Sequence, residues 1–323
     1  MEYTRLGSSG LQVSRLALGC MSFGSISRGF NQWALDDDAA EPLFRYAVEA
    51  GITFWDTANV YGYGSSEEIV GRALRRYTRR EDIVLATKVF FPMGEGPGGS
   101  GLSRRAIMEQ VDASLTRLGT DFVDLYQIHR FDPNTPVDET MEALHDIVKA
   151  GKARYIGASS MWAWQFAKLQ QAAERGGWTR FVSMQNQYSL MQREDEREMY
   201  PLLADQGVGS IPWSPLGKGR LTRPWGQSTT RAETDPLYRE RYSETADRPI
   251  ADAVERVAAV RGVPMAQVAL SWVARQPGVT APIVGATTVK HLGDAVSALS
   301  LVLTDEECAQ IEAPYTPRMP TGF

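Results

Sequence analysis

Four side chains that could move a proton stand at or just after apolar, β-prone runs of the sequence. Asp56, Lys88 and His129 each lie near the end of such a run, and Tyr61 follows Asp56 by five residues. A phenol ordinarily has a pKa of about 10, and a nearby ammonium lowers that pKa by favouring the phenolate. Asp56 would keep Lys88 charged and in place, and His129 would orient a substrate oxygen. The set predicts a general acid for an oxygen that gains negative charge, as when a hydride attacks a carbonyl carbon.

Each of these residues also has an ordinary structural interpretation. Asp56 could begin a turn, Lys88 could fill a buried ion pair, His129 could be a satisfied core residue, and Tyr61 could serve packing. Four separate coincidences at matching strand ends are a weaker explanation than one shared site. Other chemistries lack their usual residues, because the sequence has no GxSxG, no HExxH and no Cys/His cluster for zinc. We therefore expect a proton-transfer site without a metal.

Short apolar runs alternate along the chain with segments of helical periodicity. The opening residues YTRLGSSGLQV predict a β-hairpin, and eight candidate strands follow it. The candidate strands are 15–19, 52–57, 83–88, 122–129, 153–159, 181–186, 208–213 and 281–286. Candidate helices begin near Asp37, Ser66, Ser103, Pro136, Trp162, Glu194, either Ala251 or Pro264, and Thr288. Gly51, Gly119, Gly151 and Gly176 follow helical segments and are predicted to be left-handed C-caps.

Eight strands alternating with eight helices predict an α/β protein, a (β/α)8 TIM barrel with an N-terminal β-hairpin. We expect residues 1–323 to form a single barrel domain. In such a barrel the C-terminal ends of the strands share one face, and the four candidate proton-transfer residues are expected to lie on that face. The long loops 90–101 and 217–248 belong to that face and are expected to be functional, while 301–323 is expected to lie over the surface.

Composition limits the classes of partner and compartment. Apolar residues make up 43% of the chain and charged residues 23%, which is typical of a folded protein with a large core. The net charge of −5 argues against nucleic acid as the main partner. The chain has two cysteines, no apolar leader and no long apolar run, so we expect a cytoplasmic protein with no membrane contact. The oligomeric state stays open.

Several stretches of the sequence resemble the motifs of the aldo-keto reductase superfamily. They are DTANVYG, TKV, QIH, GASS, MQNQYSL, WSPLGKGRL and VGATTVKHLGDAV, and the resemblance runs from about residue 3 to residue 315. Within the superfamily the chain looks closest to bacterial members on the branch that includes the potassium-channel β-subunits. The resemblance implies an NADPH-dependent reductase of aldehydes or ketones, with Tyr61 as proton donor, Lys88 and Asp56 as its tuning pair, and His129 as substrate orienter.

The same branch suggests an alternative function, a nucleotide-binding regulatory subunit with little turnover. Channel β-subunits have Asn at the position of His129, so the histidine in this chain favours catalysis. A structural barrel without a cofactor is a third alternative, and the phosphate-binding loops described next argue against it.

Two loops have the composition of phosphate-binding loops. Barrels often hold phosphate with the loops that follow strands seven and eight. Residues 213–220 supply small residues with Lys218 and Arg220, and residues 285–291 supply hydroxyls and a helix N-terminus. Each could also be an ordinary turn. A Rossmann site is poorly supported, because the glycine cluster at 94–99 contains a proline and opens no helix.

The resemblance also implies roles for individual residues in cofactor binding. Trp213 would stack on the nicotinamide, Ser159, Ser160 and Gln185 would hold its carboxamide, and Thr287, His291 and Asp294 would face the adenosine phosphate and adenine. The full set implied by the resemblance is Gly19, Cys20, Met21, Asp56, Ser159, Ser160, Gln185, Trp213, Ser214, Pro215, Leu216, Gly217, Lys218, Gly219, Arg220, Gly285, Thr287, Thr288, His291 and Asp294. Many related sequences carry a cation at the position of Thr288, so NADH is possible beside NADPH, unless Lys290 compensates.

Two further expectations concern the site's surroundings. Cys20 would lie beside the nicotinamide, as a small buried residue or as a redox-sensitive thiol. Aromatic residues from the loops would wall the substrate pocket, although each could instead belong to the core: Phe23, Trp33, Phe90, Phe91 and Trp162. Together they favour a small-molecule carbonyl substrate that is apolar or aromatic rather than a sugar.

Overall fold

The chain opens with an antiparallel hairpin of β1 (Tyr3–Arg5) and β2 (Gln12–Ser14). The structure is a computed structural model that describes residues 1–28, 32–96, 98–227, 233–234 and 243–320. Ser14 Oγ accepts hydrogen bonds from the backbone N–H groups of Thr53 and Phe54, at 3.1 and 3.2 Å. The predicted hairpin is confirmed. Because Phe54 begins a barrel strand, the hairpin lies against the N-terminal end of the sheet.

All eight predicted strands are present and pair in parallel. They are β3 (Ala17–Gly19), β4 (Phe54–Asp56), β5 (Val84–Val89), β6 (Val123–Ile128), β7 (Ala153–Ser159), β8 (Phe181–Gln185), β9 (Gly209–Ser210) and β10 (Ile283–Gly285). Their order in the sheet is β10-β3-β4-β5-β6-β7-β8-β9. Sequence order is therefore kept around the sheet, as in a barrel.

Backbone hydrogen bonds close the sheet between β9 and the segment that leads into β10. Ser210 N donates to the carbonyl of Gly278 at 3.0 Å, and Thr280 N donates to the carbonyl of Ser210 at 2.7 Å. Ile283 N then donates to the carbonyl of Pro212 at 2.9 Å. Closure leaves no free sheet edge, and the predicted (β/α)8 barrel is confirmed.

The helices surround this barrel. They are α1 (Asp37–Glu49), α2 (Ser65–Tyr77), α3 (Arg104–Leu118), α4 (Val137–Lys149), α5 (Ala163–Gly176), α6 (Met199–Gln206), α7 (Glu244–Arg261), α8 (Met265–Ala274), α9 (Val289–Ala298) and α10 (Asp305–Glu312). No single helix in the described parts of the chain is long and apolar enough to cross a bilayer. The pair α7 and α8 reaches that length and composition only together, across a bend of 105°.

Several predicted helix boundaries are wrong. A short 3-10 turn occupies Glu194–Glu196, so α6 begins only at Met199. Of the two alternatives for the next helix start, Pro264 is confirmed as the N-cap of α8, whereas Ala251 lies inside α7, which begins at Glu244. Gly176 is the last residue of α5, and the left-handed C-cap is Gly177, with φ of 65°.

The predicted surface segment 301–323 and the predicted loop 217–248 also need correction. Helix α10 lies within 301–323, where Thr304 and Glu307 form a capping box that the sequence TDEE could have signalled. Its Ile311 is buried, so this part of the segment contributes to the core. In the predicted loop 217–248, residues 228–232 and 235–242 lie outside the described residues, and α7 occupies its end.

The barrel interior has an apolar layer below a polar one. Side chains two residues apart on a strand point to the same face, so inward residues form layers across neighbouring strands. Phe54, Ala86 and Leu125 belong to a buried apolar cluster that also contains hairpin residues. Two residues further along the same three strands stand the buried polar residues Asp56, Lys88 and Gln127. The strand alternation thus delivers polar side chains at the C-terminal end of the barrel.

Candidate active site

Lys88 lies fully buried at the end of β5 and uses its ammonium group on three acceptors. Its Nζ donates to Asp56 Oδ1 at 2.6 Å and to the carbonyl of Thr57 at 2.8 Å. The third contact is to the phenol oxygen of Tyr61, at 3.2 Å. A buried cation needs such compensation, and here one of its partners is a group that can transfer a proton.

The second carboxylate oxygen of Asp56 accepts two amide donors. Gln127 Nε2 and Gln185 Nε2 each lie 2.9 Å from Asp56 Oδ2, and Gln185 Nε2 lies 3.2 Å from Gln127 Oε1. Gln185 was expected to hold the nicotinamide carboxamide, and its amide group here also joins the Asp56 network. Gln127 was not among the predicted site residues, although its place two residues before His129 and two after the inward Leu125 could have signalled it.

A glycine on β7 makes room for Gln127. A Cβ atom at Gly157 would lie 2.3 Å from Ser183 Oγ and 3.2 Å from Gln127 Cγ. Any side chain at this position would have to push one of these neighbours aside, so the close approach of the strands requires glycine.

The loop after β4 places Tyr61 over the end of the barrel. Gly62, Tyr63 and Gly64 all have positive φ, at 54°, 48° and 88°, which makes a tight left-handed turn. Ser66 N, in the first turn of α2, donates to the carbonyl of Tyr61 at 3.2 Å. The left-handed conformation of Tyr63 is costly for a residue with a side chain, and such strain is concentrated at functional sites.

Burial and charge set the protonation states of Lys88 and Tyr61. Burial raises the pKa of the Tyr61 phenol above its ordinary value, and the Lys88 charge offsets only part of that rise. The expectation of a lowered pKa is therefore wrong in direction, because removal from water outweighs the ion's attraction. Burial also disfavours the Lys88 ammonium, but Asp56 and Tyr61 outweigh it and raise the pKa of Lys88. The phenol is thus protonated and the lysine charged around neutral pH.

His129 follows β6 and faces Tyr61. Its backbone N–H donates to the carbonyl of Val89 at 2.9 Å, and its ring centroid lies 5.8 Å from that of Tyr61. Burial, followed by the charges of Lys88 and Arg130, lowers the pKa of His129 well below its ordinary value. The imidazole is therefore neutral at neutral pH. Its Nδ1 is buried without a hydrogen-bonding partner in the described part of the protein, so a bound molecule could use it.

The residues expected around the nicotinamide form a second connected group. Ser159 Oγ donates to the carbonyl of Gln185 at 2.8 Å, and Ser160 Oγ accepts from Trp213 Nε1 at 2.9 Å. Ser160 and Ser214 have φ of 47° and 54°, so polar residues hold the left-handed conformation at both places. Through Gln185 this group is continuous with Asp56 and Lys88.

The predicted phosphate loop follows β9 through Ser214, Pro215 and Leu216 into a 3-10 turn at Gly217–Gly219. Gly217 and Gly219 have φ of 56° and 95°, and Lys218 between them has φ of 53° and is buried. The Arg220 guanidinium stacks on Trp225, 4.5 Å from the ring centroid. Three successive left-handed residues make a tight turn that regular structure cannot form, and the N–H groups of Gly217 and Gly219 donate within it to the carbonyls of Ser214 and Leu216.

The predicted adenosine-phosphate residues surround the start of α9. Thr288 is the N-cap, with Oγ1 accepting from His291 N at 3.4 Å, and Thr287 Oγ1 lies 3.4 Å from His291 Nδ1. Lys290, whose side chain is 75% exposed, pairs with Asp294 at 2.7 Å. Asp294 thereby pairs with the lysine whose compensation for the missing cation at Thr288 was left open.

Arg223 is a basic residue that the sequence interpretation missed. Burial and then the Arg223 charge lower the pKa of His291, so the charge of Arg223 acts on the start of α9. The sequence RLTR contains this second arginine three residues after Arg220, a spacing that could have signalled it.

The first strand contributes the remaining predicted cofactor residues. Gly19 pairs in register with Gly285, and Cys20 and Met21 lie in the 3-10 turn Cys20–Ser22. Cys20 is fully buried, and burial raises the pKa of its thiol well above the ordinary value. These facts favour the packing interpretation of Cys20 over a reactive thiolate.

Of the aromatic residues expected to wall the pocket, Phe91 lies at the site. Its ring centroid is 4.9 Å from that of His129. Phe90 packs partly buried against the main core, Trp33 is buried, and Trp162 is 37% exposed at the N-cap of α5. Phe23 is buried, with its ring centroid 4.7 Å from that of Phe44, so the structure favours the core interpretation of this residue.

Comparison with known proteins identifies the class. The model of the aldo/keto reductase family matches residues 15–315, and the chain belongs to that family. It is 47% identical to versiconal hemiacetal acetate reductase of Aspergillus parasiticus, over 98% of each chain. It is 43% identical to aldo-keto reductase AFTS1 of Alternaria alternata, over 97% of this chain and 91% of that protein. It is 38% identical to putative aryl-alcohol dehydrogenase AAD16 of Saccharomyces cerevisiae, over 98% of each.

The family and these relatives make the chain an oxidoreductase that acts on carbonyl or alcohol groups. The relatives come from moulds and yeasts, and they give no support to the bacterial branch with channel β-subunits that the motifs suggested. Across the described residues, no group of three or more His, Cys, Asp or Glu side chains is placed to hold a metal ion.

Proposed function

We propose that this protein reduces aldehydes or ketones to alcohols, with NADPH as the hydride source and Tyr61 as the proton donor. The observation that carries the proposal is the Lys88 ammonium, which bridges Asp56 at 2.6 Å and the Tyr61 phenol at 3.2 Å. A tyrosine that serves only packing does not need a buried lysine beside it. Here the lysine is paired with a carboxylate, and two amide groups donate to that carboxylate. A tyrosine that must lose its proton does need such a lysine.

The residues at the strand ends fit a nicotinamide dinucleotide. His129 keeps a buried ring nitrogen without a partner among the described residues, and polar residues at 160, 214 and 218 hold left-handed conformations around the same face. Trp213, Ser159, Ser160 and Gln185 would hold the nicotinamide, with Gly19, Cys20 and Met21 beside it. The loop from Ser214 to Arg220 and the start of α9 would hold the phosphates. When bound, the reduced nicotinamide supplies the hydride.

The protein's own part is to orient the carbonyl and deliver a proton. Neutral His129 would hydrogen-bond the substrate oxygen and aim it at Tyr61, whose phenol remains protonated until charge develops on that oxygen. As the proton leaves, the phenolate forms 3.2 Å from Lys88, which stabilises it. Asp56, supported by Gln127 and Gln185, keeps Lys88 charged and fixed throughout.

The relatives and the site together favour aromatic carbonyl substrates. The names of the relatives refer to the reduction of versiconal hemiacetal acetate and to the dehydrogenation of aryl alcohols. Phe91 lies beside His129, where an aromatic ring attached to the carbonyl could pack. We extend this substrate class to the present chain as part of the proposal.

The proposal further treats residues 1–323 as one barrel domain working in the cytoplasm on a free small molecule. Both cysteines, Cys20 and Cys308, are free and buried, which fits a reducing compartment.

The test is the oxidation of reduced nicotinamide, followed by its absorbance, with a panel of aromatic and aliphatic aldehydes and ketones and with both cofactors. Turnover of several carbonyl compounds with NADPH is the expected result. Tight cofactor binding with no turnover across the panel would instead support the regulatory-subunit alternative. The presence of His129, where channel β-subunits have Asn, weighs against that outcome.

A further inference from the structure

Arg130 directly follows His129 and carries a positive charge at the mouth of the site. Its NH1 donates to the carbonyl of His129 at 2.6 Å, which anchors the guanidinium beside the end of β6. The guanidinium carbon lies 5.3 Å from the centroid of the Phe91 ring. That ring lies 4.9 Å from the His129 imidazole, so cation, phenyl ring and imidazole are neighbours.

The charge of Arg130 reaches the reacting groups. It contributes to lowering the pKa of His129 and partly offsets the rise in the pKa of Tyr61. A charge that acts on both groups would also act on a substrate bound between them, because a Coulomb interaction depends only inversely on the separation. Arg130 is half-buried, so its interactions with a bound anion would be only partly screened by water.

Aromatic side chains continue outward from this point. Phe131 follows Arg130, and its ring lies 6.0 Å from that of Trp164, which is 60% exposed near the start of α5. Exposed tryptophan beside other aromatic rings is typical of a surface that receives a flat apolar molecule. A guanidinium among aromatic rings fits a molecule that combines an aromatic ring with an anion, since arginine binds carboxylates through paired N–H donors.

We propose that Arg130 determines substrate specificity by binding a carboxylate carried by an aromatic aldehyde or ketone. The aromatic ring would pack against Phe91, the carbonyl would face Tyr61 and His129, and the carboxylate would face the guanidinium. This inference rests on the proposed function, but it assigns a role to a residue outside the proton-transfer group. A purely electrostatic role for Arg130, tuning Tyr61 and His129, would affect charged and uncharged substrates alike.

The first experiment compares two substrates with the same ring and aldehyde, the anionic 4-carboxybenzaldehyde and its neutral methyl ester, methyl 4-formylbenzoate. We expect wild type to favour the carboxylate in kcat/KM by about 10-fold, the lower part of the range for charge-assisted hydrogen bonds. Arg130→Gln should abolish this preference, and Arg130→Lys should keep part of it. Arg154→Gln is the matched control. Arg154 also stacks on a phenylalanine, 4.1 Å from the Phe122 ring, but it lies at the start of β7, at the opposite end of the barrel.

A binding measurement separates failure of this inference from failure of the proposed function. Benzoate binding in the presence of NADPH is followed by titration calorimetry in wild type, Arg130→Gln and Arg154→Gln. Loss of benzoate affinity in Arg130→Gln alone supports the inference, even if no aldehyde is turned over. Equal benzoate affinity in all three proteins, or a carboxylate-to-ester ratio unchanged by Arg130→Gln, would overturn it.

Discussion

The ammonium nitrogen of Lys88 lies 3.2 Å from the phenol oxygen of Tyr61. The contact does not make the phenol a stronger acid than a free tyrosine, because burial raises the pKa of Tyr61 by more than Lys88 lowers it. What the lysine provides is a stabilising charge at the place where the phenolate forms. Tyr61 therefore remains an acid across neutral pH and becomes a phenolate only when the substrate oxygen takes its proton.

The ion pair of Lys88 and Asp56 should act as one unit. Lys88→Met leaves a buried carboxylate without its cation, and Asp56→Asn leaves the ammonium without its anion, so each should lower kcat/KM by roughly 10²-fold or more. The double variant should lose little beyond either single change. Single-turnover rates of the three variants measure this, with circular dichroism as the check on folding. Losses that multiply in the double variant would show that the two residues work independently.

Gln127 should matter for catalysis because it donates to Asp56 Oδ2. Gln127→Leu removes a hydrogen bond to a charged group, a loss of about 1.5–3 kcal/mol, and should lower kcat/KM by at least about 10-fold. Gln170→Leu is the matched control, since Gln170 is another buried glutamine, but it bonds the backbone of Phe181. The control should lower the melting temperature and leave kcat/KM of the folded enzyme nearly unchanged. Equal catalytic losses in both variants would remove Gln127 from the account.

The pH dependence of carbonyl reduction should follow the protonated form of Tyr61. Because burial raises the pKa of Tyr61, the rate should stay level through neutral pH and fall only above about pH 10. The Arg130 charge partly lowers that pKa, so Arg130→Gln should move the alkaline fall to higher pH, and Arg154→Gln should not move it. Rates of nicotinamide oxidation across the pH range test this. A fall that begins near neutral pH, or one that moves to lower pH in Arg130→Gln, would contradict the assignment.

The barrel and its polar strand ends could be predicted from the sequence because both depend on local periodicity. The order of residues shows the alternation of the strands and the tight turn before α2. It also shows an ionisable residue at the end of three apolar runs. Strand alternation could have placed Gln127 on the inward face, but not its hydrogen bond to Asp56, which lies 71 residues away in the sequence. The direction of the Tyr61 pKa shift also lay beyond the sequence, since it is the balance of burial against one charge.

Other points that the sequence left open depend on tertiary contacts. Phe23 follows the first barrel strand, as a pocket residue would, but Phe44 of α1 draws it into the core. Whether Lys290 compensates for the missing cation at Thr288 stays a prediction, and its side chain pairs with Asp294 one helical turn later. Arg223 was not among the predicted site residues, because its effect on His291 links two loops that are far apart in the sequence.

Cofactor choice should depend on Arg223. NADPH differs from NADH by a 2′-phosphate, and a charge-assisted contact to it contributes about 1.5–3 kcal/mol. Arg223→Gln should therefore weaken NADPH binding by roughly 10-fold and leave NADH binding nearly unchanged. Quenching of tryptophan fluorescence, with Trp213 as the expected reporter, measures both affinities. Equal effects on the two cofactors would show that Arg223 does not contact the 2′-phosphate.

Thr288→Lys tests recognition of the same phosphate at the start of α9. The added cation should raise the preference for NADPH, but the change also removes the N-cap of α9, at a cost of about 0.5–2 kcal/mol of stability. Thr304→Lys, which removes the N-cap of α10, controls for a lost cap. An NADPH preference unchanged by Thr288→Lys would show that this helix start does not read the phosphate.

The central claim is that Tyr61 delivers the proton, and the most direct measurement is single-turnover carbonyl reduction by Tyr61→Phe saturated with NADPH. The phenyl ring keeps the packing and loses only the hydroxyl, so fluorescence titration should give a cofactor affinity close to that of wild type. The rate of reduction should fall by roughly 10²–10⁴-fold, as expected for the loss of a general acid. A Tyr61→Phe variant that binds NADPH normally and reduces its carbonyl substrate at a near-normal rate would contradict the account.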